Sequence, residues 1–239
     1  MILKGEVCVV TGGAKGIGLA IVNALLARGA MVVAVDLDTS GMGDLASDCL
    51  AVQADVTKPA DMERVVEETQ RRFGGLSVWV NNAGLARHRW ITDYTEADID
   101  LMLDVNLKGT ILGSQAALRC MKAERRGHII NVISTASLRG IPSESVYCAA
   151  KWGVRGFTQG LQEEAAAYRV RVTAVLPGGV ATDFWTDASQ RQAPLEKFLT
   201  PEHIAQAIVN VLEMEDFCVA REIVLRSLDD SDFSVQPPD

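Results

Sequence analysis

The chain has 239 residues, of which 48% are hydrophobic and 23% are charged, the composition of a globular protein with a sizeable core. A formal net charge of −8 disfavours binding to nucleic acid, because contacts to phosphate require a basic face. No apolar run approaches the ~18 residues of a membrane span, and no secretory leader pattern opens the chain. We therefore expect a cytoplasmic protein that binds neither nucleic acid nor membrane.

The spacing of cysteine and histidine bears on disulfide and metal chemistry. The five cysteines are scattered and include no C-x-x-C pair, and His88, His128 and His203 have no partners at the spacing of metal ligands. Residues 229–239 contain four acidic residues and no basic ones, which is typical of a solvated terminus. The sequence therefore predicts neither a disulfide framework nor a metal site.

Short apolar runs rich in valine and isoleucine alternate along the chain with longer segments of helical periodicity. Strands buried on both faces are continuous apolar runs, and the helices between them form the crossovers of a parallel sheet. The predicted strands are residues 7–10, 31–35, 50–53, 77–80, 128–133, 170–175 and 222–225. The predicted helices are residues 16–28, 60–73, 97–122, 144–168 and 201–213. This alternation predicts one doubly wound α/β domain over residues 1–239, with a seven-stranded parallel sheet and helices on both faces.

A glycine-rich segment lies between the first predicted strand and the first predicted helix, at residues 11–18. Glycines let the backbone turn tightly and approach a pyrophosphate, whose charge then lies at the N-terminus of the helix. The spacing Gly12-x-x-x-Gly16-x-Gly18 matches neither G-x-G-x-x-G nor a P-loop. It indicates a dinucleotide site, and the alternative is a turn that only packs the helix against the strand.

Asp36 ends the second predicted strand, 18 residues after Gly18. A carboxylate there accepts hydrogen bonds from the ribose diol of an adenosine and repels a 2′-phosphate, which favours NAD over NADP. Lys15 indicates the opposite, because a cation in the glycine-rich segment could contact a 2′-phosphate. We give Asp36 more weight, since its position matches that of the ribose-binding acid, and its alternative role is a strand-end cap.

Polar residues also follow the third and fourth predicted strands, at the sheet edge where open α/β folds bind ligands. Asp55 and Val56 follow the third strand, and the sequence Asn-Asn-Ala-Gly follows the fourth at residues 81–84. Asp55 could bind an adenine amino group or, equally well, cap the next helix. Asn81 and Asn82 are expected to brace their turn by side-chain hydrogen bonds rather than contact a substrate.

Tyr147 and Lys151 are four residues apart in a predicted helix and therefore share one face. A free phenol has a pKa near ~10 and is a poor base at neutral pH. A neighbouring ammonium stabilises the phenolate and lowers that pKa, which suits general acid–base catalysis. The pair alone is a common combination on protein surfaces, so other residues must support this interpretation.

Two further polar residues do so. Ser134 follows the strand predicted at residues 128–133, where its hydroxyl could hydrogen-bond a substrate oxygen whose charge changes, and its alternative role is a turn residue. Asn106 lies in mid-helix, where its amide competes for backbone hydrogen bonds. It could bend the helix and hold a water beside Lys151.

Together these features resemble the short-chain dehydrogenase/reductase family along nearly the whole chain. The features in the family's order and spacing are residues 11–18, Asp55, Val56, residues 81–84, Asn106, Ser134, Tyr147, Lys151, Pro177, Gly178 and Thr182. The resemblance implies the strand order 3-2-1-4-5-6-7 and a catalytic tetrad of Asn106, Ser134, Tyr147 and Lys151. It also implies that Lys151 binds the nicotinamide ribose, and that Val180 and Thr182 hold the carboxamide.

The same resemblance implies a wider set of cofactor contacts, from the glycine-rich segment to the end of the sixth strand. These residues are Gly12, Lys15, Gly16, Ile17, Gly18, Asp36, Asp55, Val56, Asn82, Ala83, Gly84, Tyr147, Lys151, Pro177, Gly178, Val180 and Thr182. In this set Ile17 would line the pyrophosphate turn and Asn82 would lie near the cofactor. NAD(H) is the favoured cofactor, and NADP(H) stays open.

The family resemblance implies an NAD(P)-dependent oxidoreductase that transfers hydride between NAD(H) and a secondary alcohol or ketone, with Tyr147 as general acid/base. One alternative is an NADPH-dependent 3-oxoacyl thioester reductase, which Lys15 favours and Asp36 disfavours. Others are a dehydratase or isomerase of the same fold, and a non-catalytic NAD(H)-binding regulatory protein. The intact set of Ser134, Tyr147 and Lys151 argues against the regulatory protein.

Three segments depart from the common family pattern. Residues 183–200 are short for a substrate-covering loop, the last strand lacks a Gly-Gly ending, and two glycines at residues 39–48 indicate a short or frayed second crossover helix. The substrate pocket is expected from residues 87–91, 138–141 and 184–186. The basic residues Arg87, Arg89 and Arg139 indicate an anionic or polyhydroxylated substrate, or they are solvated residues on loops. The aromatic residues Trp90, Phe184 and Trp185 could cover an apolar face of the substrate.

Association of the chain with copies of itself is also expected. The helices at residues 97–122 and 144–168 carry small residues that suit close helix contacts: Ala116, Ala117, Ala149, Ala150 and residues 165–167. The resemblance implies a symmetric homodimer or homotetramer built on those helices. Cys148 points away from the face of Tyr147 and Lys151, so it is interpreted as a packing residue.

Overall fold

The computed structural model describes residues 1–42, 46–185 and 193–229. Its strands are β1 (Val7–Thr11), β2 (Met31–Asp36), β3 (Cys49–Gln53), β4 (Val78–Asn81), β5 (Gly127–Val132), β6 (Val170–Pro177) and β7 (Glu222–Leu225). Within the described residues they form one seven-stranded sheet in the order β3-β2-β1-β4-β5-β6-β7, and every pairing is parallel. The predicted fold class and strand order are confirmed.

Helices cover both faces of this sheet. They are α1 (Gly16–Ala27), α2 (Pro59–Phe73), α3 (Glu96–Leu103), α4 (Gly109–Glu124), α5 (Ser145–Ala166) and α6 (Pro201–Leu212). Alternate residues of β1 enter different cores: Cys8 and Val10 join the cluster that contains α1 and α6, whereas Val9 joins the cluster that contains α2, α4 and α5. Burial on both faces explains why the strands are continuous apolar runs in the sequence.

The helix predicted over residues 97–122 is confirmed, with one irregular turn inside it. α3 ends at Leu103, a π-helical turn spans Asp104–Lys108, and α4 begins at Gly109. The side chain of Asn106 causes an interruption here, because its Nδ2 donates to the carbonyl oxygens of Met102 (2.9 Å) and Leu85 (2.8 Å). A side-chain amide that competes for backbone acceptors distorts a helix, as the sequence indicated for this asparagine.

The second crossover is short, as predicted. In the described residues between β2 and β3 the only helical turn is the 3₁₀ turn Ser40–Met42, and residues 43–45 lie outside the described part of the chain. The predicted acidic terminus lies outside it too, except for Asp229. Among the described residues, no helix is both long and apolar enough to cross a membrane.

A buried network of amides and hydroxyls joins β4 and β5 to the helices behind them. Asn81 Nδ2 donates to Asn131 Oδ1 (2.8 Å) and to Ser114 Oγ (2.9 Å), and Asn81 Oδ1 accepts from Trp79 Nε1 (2.7 Å). Asn131 Nδ2 then donates to Thr158 Oγ1 (2.9 Å) on α5. The expectation that Asn81 braces the following turn is therefore wrong, because β4 extends one residue further than predicted and Asn81 faces the core.

The alanines expected at a subunit interface divide into two groups. Ala116, Ala117, Ala150 and Ala165 are buried in the chain's own core and pack its helices against the sheet. Ala149 and residues 166–167 are exposed, as is about half of the Trp152 side chain on the same helix α5. The buried alanines leave only this smaller exposed set for contacts with another copy.

Candidate active site

The glycine-rich segment is packed so tightly at Gly12 and Gly18 that no side chain fits at these two positions. Gly12 and Gly16 have φ angles of 64° and 54°, in the left-handed region that favours glycine. A Cβ on Gly12 would lie 2.9 Å from Ala83 Cα, and one on Gly18 would lie 1.8 Å from the Gly12 carbonyl oxygen. The first predicted motif is therefore a tight turn held against the segment that follows β4.

Thr11 and Asn82 make the hydrogen bonds that hold these two segments together. The Thr11 hydroxyl oxygen accepts the backbone N–H groups of Asn82 (3.0 Å) and Ala83 (3.1 Å). Asn82 Nδ2 donates to the carbonyl oxygens of Thr11 (3.0 Å) and Gly12 (3.1 Å). Asn82 thus braces its turn, as predicted, and it fixes the shape of the glycine-rich turn.

The N-terminus of α1 is arranged to receive an anion. Lys15 at the N-cap is extended and provides no side-chain hydrogen bond to the helix, and the first turn of Gly16–Ala27 contains no acidic residue. The unpaired N–H groups and the helix dipole therefore present positive charge there. Thr182 lies across this end, because a Cβ on Gly16 would lie 3.4 Å from its methyl carbon, whereas Ile17 packs against the core.

Asp36 is placed beside the glycine-rich turn. Its Oδ2 accepts the backbone N–H of Ala14 (3.1 Å), and its Oδ1 accepts that of Leu37 (2.8 Å). The half-buried carboxylate thus lies at the end of β2 and next to the first turn. Hydrogen bonds from Ser40 are the main cause that holds the Asp38 pKa below its usual range, and Lys15 contributes through its charge.

Asp55 braces the turn between β3 and α2. Its Oδ1 accepts the backbone N–H (2.9 Å) and the hydroxyl (2.7 Å) of Thr57. The N-cap of α2 is Lys58, so the interpretation of Asp55 as the cap of that helix is wrong. Val56 contacts the start of α4, where a Cβ on Gly109 would lie 2.9 Å from Val56 Cγ2.

The predicted catalytic residues meet around the segment after β4. Tyr147 and Lys151 are 7% and 4% exposed, and Lys151 Nζ lies 5.5 Å from the centroid of the Tyr147 ring. A Cβ on Gly84 would lie 2.8 Å from Asn106 Oδ1 and 3.5 Å from Lys151 Nζ. The ammonium and the phenol are therefore on the same side of α5, as their spacing predicts.

Ser134 completes this group from the end of β5. Its hydroxyl is near enough to that of Tyr147 to oppose the rise in the Tyr147 pKa, and its Oγ accepts the backbone N–H of Ala136 (3.1 Å). The bond to Ala136 fixes the serine in the turn that follows the strand. Ser134 is thus both a turn residue and a neighbour of the phenol, so the two interpretations of this residue are compatible.

The electrostatics of the pair differ from the sequence expectation. Burial is the main cause that raises the pKa of Tyr147 above its ordinary value, the charge of Glu144 adds to it, and the hydrogen bond from Ser134 opposes it. Burial also lowers the pKa of Lys151 to about 8. In the protein chain alone, desolvation of the phenol therefore outweighs the stabilisation that the ammonium was expected to provide.

Asn106 acts on the backbone. Its Oδ1 accepts the N–H of Leu85 (3.2 Å), and its carbonyl oxygen accepts the hydroxyl of Thr110 (2.8 Å). With the two bonds from Nδ2 described above, the side chain holds the segment after β4 against the π-helical turn. The predicted water beside Lys151 stays a prediction.

The end of β6 lies close to the glycine-rich turn. The N–H of Gly178, next to Pro177, donates to the Leu225 carbonyl oxygen (2.7 Å), and Val180 is buried and pairs with Leu199. Thr182 Oγ1 accepts the N–H of Phe184 (3.3 Å). These bonds place Thr182 between the first turn of α1 and the aromatic residues that follow.

An aromatic side chain borders Tyr147 on the predicted substrate side, whereas two of the arginines predicted there pair with a carboxylate. Phe184 lies 5.7 Å from the Tyr147 ring and 5.4 Å from the Trp185 ring, measured between centroids, and residue 186 lies outside the described chain. Arg87 and Arg89 both face Asp98, at 3.9 and 3.5 Å between the charged atoms. Pairing with a carboxylate weakens the argument from these two arginines for an anionic substrate.

Sequence reasoning missed one pair of residues at this site. His88 Nδ1 lies 3.3 Å from Glu144 Oε1, both side chains are buried, and His88 stacks on Trp185. The sequence offers no signal for this contact, because the two residues are far apart along the chain and belong to no shared motif. Cys148 is buried in an apolar cluster with Tyr147 and Met102, consistent with a packing role.

Comparisons with known proteins agree with this geometry. A family model described as short chain dehydrogenase matches residues 6–193. The 2-(S)-hydroxypropyl-CoM dehydrogenase 3 of Xanthobacter autotrophicus is 37% identical over 231 residues, covering 88% of this chain and 90% of that protein. A 3-oxoacyl-[acyl-carrier-protein] reductase of Bos taurus is 36% identical over 216 residues, covering 87% of this chain and 91% of that protein.

A solved structure shares the fold over nearly the full length. It is the alcohol dehydrogenase of the archaeon Thermococcus sibiricus, complexed with 5-hydroxy-NADP, with a TM-score of 0.85 and 29% sequence identity. The match covers 98% of this chain and 99% of the archaeal one. With its glycine-rich turn, its buried Tyr147 and Lys151 beside Ser134, and these matches, the chain belongs to the short-chain dehydrogenase family and is an NAD(P)-dependent oxidoreductase.

Proposed function

We propose that this oxidoreductase transfers hydride between NAD(H) and a secondary alcohol or ketone, with Tyr147 as the general acid/base. The observation that supports this most is the burial of Tyr147 beside the Lys151 ammonium, with Ser134 near enough to lower the pKa of its hydroxyl. A phenol placed between a hydrogen-bond donor and a cation is equipped to exchange a proton with a substrate hydroxyl. A protein that only senses the cofactor does not need that arrangement.

The residues present fit a dinucleotide. The glycine-rich turn admits no side chain at Gly12 or Gly18, and the first turn of α1 offers unpaired N–H groups without a neighbouring acidic residue in the helix. Gly12, Gly16 and Gly18 would lie against the pyrophosphate, and Asp36 would bind the ribose diol of the adenosine. Thr182, which contacts Gly16, would lie on the nicotinamide side.

The reaction divides between the cofactor and the chain. When bound, the nicotinamide supplies the chemistry of accepting or donating a hydride. During oxidation, Tyr147 Oη takes the proton of the substrate hydroxyl, while Ser134 Oγ donates a hydrogen bond to the substrate oxygen. Lys151, charged at neutral pH because its pKa is about 8, stabilises the phenolate form of Tyr147. Asn106 keeps the segment after β4 in register with these groups.

The position of Asp36 supports NAD as the preferred cofactor. Its carboxylate lies against the glycine-rich turn through Ala14, where a 2′-phosphate would meet a negative charge. Asp38 adds a second carboxylate nearby and is close enough to Lys15 to feel its charge. This proximity reduces the positive potential that Lys15 would offer to a 2′-phosphate.

A 3-oxoacyl thioester reductase that uses NADPH is the second candidate. It is supported by the similarity to the bovine 3-oxoacyl-[acyl-carrier-protein] reductase, and by the NADP analogue in the archaeal structure. Asp36 argues against it. Both candidates use the same catalytic residues around Tyr147. They differ in the substrate and in whether the adenosine ribose of the cofactor carries a 2′-phosphate.

We also infer that residues 1–239 form one domain that acts in the cytoplasm as a homodimer or homotetramer. α6 and β7 support the single domain, since they lie beyond the segment matched by the family model yet complete the core and the sheet. The exposed Ala149 and Trp152 on α5 support a contact between copies. Sedimentation at several concentrations would test the association, and a concentration-independent monomer would contradict it.

The proposed reaction is tested by Tyr147→Phe, which removes the hydroxyl and keeps the ring. We expect kcat to fall by roughly 10²–10⁴-fold, the usual effect of losing a general acid/base. The measurement follows nicotinamide absorbance with a panel of alcohols, ketones and acyl thioesters, each with both cofactors. Tyr168→Phe, at a tyrosine that is 40% exposed, is the matched control and should keep wild-type rates. Near-normal turnover by Tyr147→Phe would contradict the assignment.

A further inference from the structure

A buried pair of ionisable side chains lies beside the catalytic residues. The side chains of His88 and Glu144 are 0% and 4% exposed, and 3.3 Å separate His88 Nδ1 from Glu144 Oε1. Among the described residues, neither ring nitrogen of His88 has a hydrogen-bond partner of good geometry. Buried polar atoms are normally hydrogen-bonded, so an imidazole held against a carboxylate in this way needs an explanation.

The pair connects three segments around Tyr147. His88 lies between β4 and α3, Glu144 immediately precedes α5, and Trp185 follows β6 and stacks on the imidazole with ring centroids 5.5 Å apart. Phe184 meets the edge of the same imidazole at 6.0 Å and also contacts Tyr147. The charge on the pair is therefore placed within the wall of the predicted substrate side.

Glu144 acts directly on the first turn of α5, which contains Tyr147. Its carbonyl oxygen accepts the N–H of Cys148 at 2.7 Å, and its carboxylate lies within electrostatic reach of the Tyr147 hydroxyl. A like charge a few ångströms from an acid opposes its ionisation, and the effect is large where water is excluded. Any process that changes the charge of Glu144 therefore changes the acidity of Tyr147.

We propose that His88 and Glu144 share a proton and thereby set the pH range in which Tyr147 exchanges its own proton. This proposal rests on the proposed function of Tyr147. When the pair holds the shared proton it is neutral, and the phenolate of Tyr147 is favoured. When the pair has lost that proton it carries one negative charge, which opposes the phenolate. The two sites therefore titrate as a coupled set, and His88 and Glu144 are positioning residues rather than catalytic ones.

Other charged and titratable groups surround the pair within the described chain. Tyr94, between the pair and α3, feels both Glu144 and Arg89, and Asp98 on α3 pairs with Arg89 and Arg87. On the side of α5, Cys148 feels both Glu144 and Arg139. These groups do not titrate near neutral pH in their ordinary states, whereas Lys151, with a pKa of about 8, is unchanged in all the variants below.

The pH dependence of kcat/KM for alcohol oxidation tests the proposal with three variants: Glu144→Gln, His88→Gln and the double variant. Glu144→Gln removes the negative charge, so the acidic limb of the profile should move to lower pH by about one pH unit. His88→Gln leaves the carboxylate charged over a wider range, so the limb should move to higher pH. The double variant should follow Glu144→Gln. His203→Gln, at a histidine in the first turn of α6, is the control for loss of an imidazole.

A merely structural role of His88 and Glu144 would not move the acidic limb in opposite directions in the two single variants. Limbs that stay in place, or that move in the same direction in both single variants, would overturn the proposal, whatever happens to the rates. A second measurement separates it from the proposed reaction. Titration of the His88 ring by NMR, assigned by its loss in His88→Gln, should show a lower midpoint in Glu144→Gln. An unchanged midpoint would contradict a proton shared by His88 and Glu144, even if alcohol oxidation were confirmed.

If no alcohol or ketone is turned over by the wild-type protein, the proposed function fails, and the NMR titration alone still tests the shared proton.

Discussion

Lys151 is buried in a site that disfavours its charged form. Burial lowers its pKa to about 8, while burial raises the pKa of Tyr147, so desolvation moves the two pKa values apart. Because the ammonium is the protonated form, Lys151 stays mostly charged below about pH 8 and loses its charge above it. Its support of the phenolate is therefore greatest near neutral pH and falls as the solution becomes more alkaline.

We expect cofactor choice to depend on the Asp36 carboxylate at the end of β2. Asp36→Ala removes the negative charge next to Ala14, so the ratio of kcat/KM for NAD to that for NADP should fall by about tenfold or more. Initial rates with each cofactor at a fixed substrate concentration measure this ratio. Asp38→Ala, which removes an exposed carboxylate bonded to Ser40, is the comparison and should lower the ratio less. An unchanged ratio in Asp36→Ala would remove this residue from the ribose site.

At the scale of residues, the sequence predicts those groups whose positions follow from strand ends and helix spacing. Ser134, Tyr147 and Lys151 are of this kind, since a strand end and a four-residue spacing place them without further information. The contact between His88 and Glu144 depends on how the segment after β4 packs against the start of α5. That packing is a tertiary property, so neither residue is recognisable from its neighbours in the sequence.

At the scale of elements, two short segments determine the shape of the cofactor side. The glycine-rich turn and the segment after β4 are held together by Thr11 and Asn82, and each limits the other. Both segments leave neighbouring strands, β1 and β4, at their carboxyl ends. Their rigidity therefore comes from side-chain bonds across the two turns in addition to the sheet.

The fit of Gly18 against Gly12 gives a test of that rigidity. Gly18→Ala would place a methyl group 1.8 Å from a carbonyl oxygen, so the turn must shift. We expect about 1–3 kcal/mol lower free energy of unfolding and a KM for the cofactor raised by about tenfold or more. Gly160→Ala is the control, because a Cβ added to this exposed residue of α5 would have no atom within 4 Å beyond the neighbouring backbone of its own helix. This variant should unfold at the same denaturant concentration as wild type or at a higher one. Equal cofactor KM values for Gly18→Ala and wild type would contradict the packing argument.

The boundaries of elements show where periodicity is sufficient and where it is not. Continuous apolar runs predict the strands to within one or two residues, because a parallel sheet covered on both faces requires them. Periodicity predicts the helix over residues 97–122 but not its π-helical turn at Asn106, since apolar periodicity continues through that turn. Polar competition for backbone acceptors, rather than a change of periodicity, interrupts that helix.

At the scale of the molecule, one buried histidine links stability to pH. His128 in β5 lies 2.8 Å, Nε2 to Oγ1, from Thr173 in β6, and burial lowers its pKa to about 3. Because the unfolded value is near ~6.5, the unfolded chain binds a proton that the folded chain does not bind. The contribution of His128 is therefore complete above about pH 6.5 and is lost progressively as the pH falls toward 3.

This linkage predicts a measurable acid sensitivity. From about pH 6.5 to pH 5, the wild-type protein should lose about 1–2 kcal/mol of unfolding free energy through His128 alone. His128→Gln cannot take up this proton, so its loss over the same range should be smaller, even if its stability at neutral pH is lower. Urea unfolding at several pH values gives both curves, with His203→Gln as control. Parallel curves for wild type and His128→Gln would contradict the linkage.

The buried amides of Asn81 and Asn131 have a consequence for the chemistry three residues away. A slip of one residue between β4 and β5 would separate the two amides and leave polar atoms without partners in a dry interior. The same slip would shift Ser134 along the strand by about 3.3 Å and turn it to the opposite face of the sheet. The bond between Asn81 and Asn131 thus fixes the alignment of β4 and β5, which apolar side chains alone would leave free to slip. That alignment is what keeps Ser134 near Tyr147.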